Sequence, residues 1–218
     1  MSSLEKVKKE IEDAEIVFGK KKGVTKLIAV SKTKPMDQIK KVIDKGQVHF
    51  GENRVQEALS KWEILKSNKI DLKIHLLGPL QTNKVKKVFS LFDYIHSLDR
   101  LSLAEKLSRE TQERGYCPKI FVQVNTGKEE QKSGVFPENL KGFISLSQKT
   151  YELNVVGLMC IPPINERPEQ HFGLLRDLAN DNGLTELSMG MSADYKIAIK
   201  YDSTFIRIGT AIFGEREK

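Results

Sequence analysis

The sequence predicts a single (β/α)8 TIM barrel with an additional N-terminal helix, on three observations: eight short β-prone runs, helical stretches between them, and a length of 218 residues. Parallel strands need crossover connections, and eight βα units of about 25 residues each fill one barrel. Closure removes both sheet edges while helices cover the outside. An open doubly wound sheet is the alternative architecture, but the dinucleotide fingerprint G-x-G-x-x-G is missing after the first run, which reads Ala29-Val30-Ser31-Lys32.

The first element is an amphipathic helix within Met1–Phe18, where Leu4, Val7, Ile11 and Ile16 recur at helical spacing. This segment has neither the apolar stretch nor the small-residue cleavage site of a signal peptide. Strands are expected at Thr25–Val30, Gln47–Phe50, Lys73–Leu77, Tyr94–Ser97, Lys119–Asn125, Val155–Met159, Glu186–Met189 and Thr204–Ile208. Helical patterns separate them at Asp37–Lys45, Val55–Lys66, Leu101–Arg114 and Pro137–Lys149, with a further run at Tyr195–Lys200. In the second of these, Trp62 with Leu59 and Leu65 is expected to pack helix against sheet. Pro162-Pro163 is the strongest local breaker and falls in the loop after the sixth strand, where barrels carry functional residues.

With 39% apolar and 30% charged residues of mixed sign, the chain reads as one globular domain, residues 1–218, with a solvated surface. Cys117 and Cys160 stand far apart, without the C-x-x-C spacing of zinc or redox sites, and suit a reducing cytoplasm. No apolar run approaches the roughly 20 residues of a membrane span. The net charge of +7 welcomes anions without selecting one. A nucleic-acid partner is not expected, because no basic patch interleaved with aromatics accompanies that charge.

Barrels place their chemistry at the carboxyl ends of the strands. Lys32 follows the first strand and shares parity with Lys26, Ile28 and Val30, so it projects toward the barrel mouth. A lysine in a partly dry mouth favours its neutral, nucleophilic amine. Lys34 shares the parity but precedes Pro35, which predicts an extended, solvent-facing residue. Position and parity alone leave Lys32 competing with an ordinary surface lysine.

The run Ser188-Met189-Gly190-Met191-Ser192 precedes a helical segment, and Ser192 is read as its N-cap and as part of an anion site. The eighth strand then ends in Arg207, Gly209 and Thr210. Barrels commonly hold phosphate between the loops after strands seven and eight, so two suitably equipped loops together favour phosphate over tight turns alone. Asn53, after the second strand, and His75, near the third, are further candidates to reach a ligand. His49, His96 and His171 are assigned no role, because no spacing pairs them for a metal.

The run Ala-Val-Ser-Lys-Thr-Lys-Pro at 29–35, Phe-Gly-Glu-Asn at 50–53, the stretch 75–84, Lys132-Ser133-Gly134, 188–192 and 207–214 together resemble the pyridoxal phosphate homeostasis protein family. The resemblance covers essentially the whole chain in order. It implies a fold like the N-terminal barrel of bacterial alanine racemase, with pyridoxal 5′-phosphate held as a Schiff base on Lys32. It further implies a phosphate cradle from Ser192, Gly209 and Thr210, Arg207 as partner of the pyridine nitrogen, and Asn53 beside the ring.

The resemblance leaves two classes, a carrier that buffers or delivers the cofactor and an amino-acid racemase of low activity. Racemisation needs bases on both faces of the substrate α-carbon, and alanine racemase takes its second base from a domain after the barrel. Here Lys218 follows the eighth strand closely. An arginine at the pyridine nitrogen weakens the ring as an electron sink. The expectation is therefore a monomeric, cytoplasmic carrier that makes transient contact with apoenzymes.

Overall fold

The computed structural model describes residues 1–67 and 71–214. Its order is α1 (Ser3–Val17), β1 (Lys26–Val30), α2 (Met36–Ile43), β2 (His49–Glu52), α3 (Val55–Ser67), β3 (Lys73–Leu76), α4 (Val85–Val88), β4 (Tyr94–Leu98), α5 (Leu101–Arg114) and β5 (Lys119–Gln123). There follow α6 (Leu140–Ser145), β6 (Val155–Met159), α7 (Pro168–Asp181), β7 (Glu186–Ser188), α8 (Tyr195–Lys200), β8 (Phe205–Ile208) and α9 (Thr210–Phe213). The eight strands pair in parallel in sequence order, and β8 returns to β1 to close the barrel. The predicted (β/α)8 barrel with its extra N-terminal helix is thus the observed architecture.

Alternation along each strand splits the apolar residues between two sides. Leu27 and Ala29 of β1, Phe50 of β2, Ile74 and Leu76 of β3 and Ile95 of β4 join the core between strands and helices. Ile28, Tyr94, Phe121, Met159 and Phe205 form a separate cluster inside the barrel. Trp62 of α3 is fully buried with its ring 4.8 Å from Phe50, as its helix-to-sheet role requires.

Helix α1 begins with a reciprocal cap, Ser2 N–H donating to Glu5 and Glu5 N–H to the Ser2 hydroxyl. It buries Leu4, Val7, Ile11 and Ala14 and packs against α8 and α9. Glu10 accepts the Tyr195 hydroxyl at 2.5 Å and pairs with Lys196 at 3.1 Å. The buried Glu15 accepts the N–H groups of Gly23 and Thr25 at 2.7 Å each and so guides the chain into β1.

The second strand lies two residues beyond its expected place, His49–Glu52 in place of Gln47–Phe50. Gly51 and Glu52 are weak strand formers in isolation, but tertiary context decides here. A Cβ on Gly51 would lie 2.5 Å from Leu77 Cδ1 inside the barrel, and Glu52 finds buried partners on the outer side. No helix among the described residues is long and apolar enough to cross a membrane.

Candidate functional site

A cavity of about 240 Å³ opens at the carboxyl ends of the strands, lined by Lys32, Asn53, Ser192, Arg207, Gly209 and Thr210 together with apolar residues that include Leu77, Met159 and Ile161. Six of the seven residues singled out from the sequence therefore meet at one wall. His75 does not. It is fully buried inside the barrel with its ring stacked on Tyr94, centroids 4.2 Å apart.

Lys32 stands two residues past β1 in a turn closed by Lys34 N–H to Ser31 C=O, and Thr33 adopts φ 62°. Both neighbours of Lys32 are gripped from outside the barrel. The Ser31 hydroxyl donates to Glu52 at 2.7 Å, and Thr33 N–H donates to Glu57 at 2.6 Å. Lys61 of α3 ties the two grips together, donating to Glu57 at 2.6 Å and to Ser31 C=O at 3.0 Å. Glu52 also accepts the Trp62 indole N–H at 3.0 Å, and burial raises its carboxyl above the ordinary range while Lys61 and these hydrogen bonds oppose the rise.

Glu57 and Lys61 are absent from the sequence candidates, and Glu52 lies in the candidate run 50–54 without a role of its own. The i,i+4 spacing of Glu57 and Lys61 was visible, but their attachment to the Lys32 turn crosses two elements. Lys34 departs from its solvent-facing expectation. It is half-buried, and its ammonium donates to the carbonyls of Phe213 and Gly214 at 3.3 and 3.1 Å.

Arg207 is buried and directs three of the five guanidinium N–H donors inward, to Ser188 C=O at 2.6 Å, the Ser188 hydroxyl at 2.8 Å and Cys160 C=O at 2.9 Å. Burial lowers its pKa. Arg207 is at the same time one of the residues that line the cavity. A ligand acceptor meeting the guanidinium meets a group with hydrogens to give and no lone pair.

Ser192 does not cap α8 as expected; Asp194 occupies the N-cap position and accepts Met191 N–H at 2.6 Å. That bond closes the turn before α8, no side chain caps the helix itself, and Ser192 is left exposed on the cavity wall. The two glycines of these loops differ. Gly190, at φ +93°, is a turn residue in which a Cβ would strike Ala198. Gly209 has φ −115°, so its turn needs no glycine, and its bare backbone faces the cavity.

The family profile described as "Alanine racemase, N-terminal domain" matches residues 4–217. A "Pyridoxal phosphate homeostasis protein" of Aquifex aeolicus is 41% identical, the alignment covering 98% of this chain and 95% of that protein. The chain belongs to the pyridoxal phosphate homeostasis protein family. Another homeostasis protein, from Pseudomonas aeruginosa, is 40% identical over 99% of this chain and 95% of its own length. Among solved structures, PipY of Synechococcus elongatus with PLP bound superposes with a TM-score of 0.80 at 37% identity, covering 94% of this chain and all of that one. The alanine racemase of Corynebacterium glutamicum, 17% identical with a TM-score of 0.67, shares the barrel; the match covers 98% of this chain and 61% of the racemase.

Proposed function

We propose that the chain binds pyridoxal 5′-phosphate in the mouth cavity, holds it through Lys32 as a Schiff base, and buffers or delivers it in vitamin B6 homeostasis. The observation that carries this reading is the convergence of Lys32, Asn53, Ser192, Arg207, Gly209 and Thr210 on one cavity. The donor set suits a phosphorylated pyridine aldehyde. It offers an amine for the carbonyl, a donor-only guanidinium for the ring nitrogen, and two hydroxyls with a bare glycine backbone for the phosphate. The homeostasis relatives and the PLP-bound PipY support the same ligand.

In this reading Arg207 orients the ring and keeps its nitrogen unprotonated, which disfavours carbanion chemistry. Asn53 lies beside the ring, and Leu77, Met159 and Ile161 supply apolar wall. The protein acts as a monomer in the cytoplasm and passes cofactor to apoenzymes by transient contact.

The absorption spectrum of the purified protein and of Lys32→Ala tests this. A visible Schiff-base band that borohydride abolishes is expected in the wild type and not in the variant. A wild type that binds no pyridoxal phosphate, or a variant that keeps the reducible band, overturns the assignment. Turnover of L- to D-alanine by the loaded protein would overturn the carrier reading in favour of a racemase.

A further inference from the structure

A row of side chains crosses the barrel from the amino ends of the strands to Arg207. His49 Nδ1 lies 2.9 Å from His75 Nε2, His75 Nδ1 lies 2.9 Å from His96 Nε2, and His96 Nδ1 lies 2.8 Å from the Ser188 hydroxyl, which Arg207 contacts at 2.8 Å. His75 and His96 are fully buried, His75 stacked on Tyr94 and His96 on Phe121, so neither ring has room to turn over. His49, first residue of β2, is only half-buried and is the end open to solvent.

The chemistry of the last link sets the direction of every other. A guanidinium has no lone pair to offer, so the Ser188 oxygen accepts from Arg207 and its hydrogen goes to His96 Nδ1. His96 then carries its proton on Nε2 and donates to His75 Nδ1. By the same step His75 carries its proton on Nε2 and donates to His49 Nδ1, leaving His49 with its own Nε2–H turned outward.

We propose that His49, His75 and His96 are positioning residues for Arg207: a hydrogen-bond wire of fixed direction that holds Ser188 as an acceptor and thereby sets the orientation of the guanidinium at the cavity wall. Its role toward the cofactor rests on the reading given above, that Arg207 meets the ring nitrogen. The surroundings favour three neutral rings. His49 faces Lys26, Lys73, Asp71, Asp93, Tyr94 and Phe205; His75 faces its two histidine neighbours, Tyr94, Phe205 and Lys26; His96 faces Arg207, Ser188, Phe121, Tyr94 and Phe205. Burial lowers all three pKa values, that of His49 to about 4.

Nitrogen-15 NMR of the imidazoles in the ligand-free protein tests the wire without any cofactor. Three neutral Nε2–H tautomers are expected at neutral pH; a neutral Nδ1–H form of His75 or His96, or an imidazolium at either, overturns the direction. Titration with pyridoxal phosphate tests the positioning role. His96→Leu should weaken binding by about tenfold to a hundredfold, whereas His96→Asn, whose Oδ1 stands in for Nδ1, should stay within about threefold of wild type. If His96→Leu does not fold, Ser188→Ala cuts the same link by one oxygen and is read the same way. Wild-type affinity in the variant that severs the link overturns the positioning role. A wild type that binds no pyridoxal phosphate overturns the cofactor reading and the wire's role toward it, and the tautomers then judge the direction alone.

Discussion

Glu52 is the residue on which the Lys32 turn leans. Its Oε1 accepts both the Ser31 hydroxyl and the Trp62 indole N–H, and all three side chains are buried. Glu52→Ala strands two buried donors and should destabilise the fold by about 2–4 kcal/mol, whereas Glu52→Gln, which keeps an acceptor oxygen there, should cost about 1 kcal/mol or less, both read by urea unfolding. The carboxyl's folded pKa lies above its ordinary value. Its proton is therefore held more tightly in the folded state, and its contribution to stability is present at low pH and lost as pH rises from the ordinary carboxylate value through the folded one. A pH series should show wild type losing stability relative to Glu52→Gln across that window; parallel curves would mean that burial does not govern this carboxyl. Lys32 itself was legible from parity, because β1 alternates between barrel and helix shell over its whole length. Glu52 was not, since a carboxylate in a Gly-Glu-Asn run reads as loop until β3 and α3 are in place around it.

At the scale of elements, the cavity depends on loops anchored from the side. The stretch 191–196, which carries Ser192, is fastened to α1 through the contacts of Glu10 with Tyr195 and Lys196. Glu10→Ala should leave the barrel intact but speed amide hydrogen exchange in 191–196 by about tenfold, with β1 unchanged, because loosely held loops open at the low end of the stability range. Unchanged exchange there would mean that the Asp194 turn is sufficient alone. The alternation of β-prone and helical runs disclosed all eight strands, since each is a short apolar run between polar crossovers. Boundaries differ where a residue's own preference opposes its setting, as at Gly51 and Glu52, and the N-cap position falls at Asp194, two residues beyond Ser192, because α8 starts only at Tyr195.

For the whole molecule, acid should be the weak side. His75 and His96 have folded pKa values well below 6.5 and His49 one of about 4, so the unfolded chain binds more protons between those values and the ordinary one. Stability is then fully present above the unfolded histidine pKa and is lost as pH falls toward the folded values, with a slope of up to about 1.4 kcal/mol per pH unit for each histidine. Glu52 acts in the opposite sense but is one group against three. Urea unfolding from neutral to mildly acidic pH should show falling stability, and His96→Asn should flatten the slope; a flat wild-type curve would mean that the buried rings take up protons without cost.

The same closure that makes the cavity also orders events in time. β1 pairs with β8, and α1 packs on α8 and α9, so the earliest described elements find their partners in the latest. These contacts span nearly the full sequence, the kind of separation that slows folding. As the polypeptide leaves the ribosome, α1 and β1 wait with their apolar faces exposed until the last turns emerge, and a nascent chain arrested before Phe205 cannot seal the barrel.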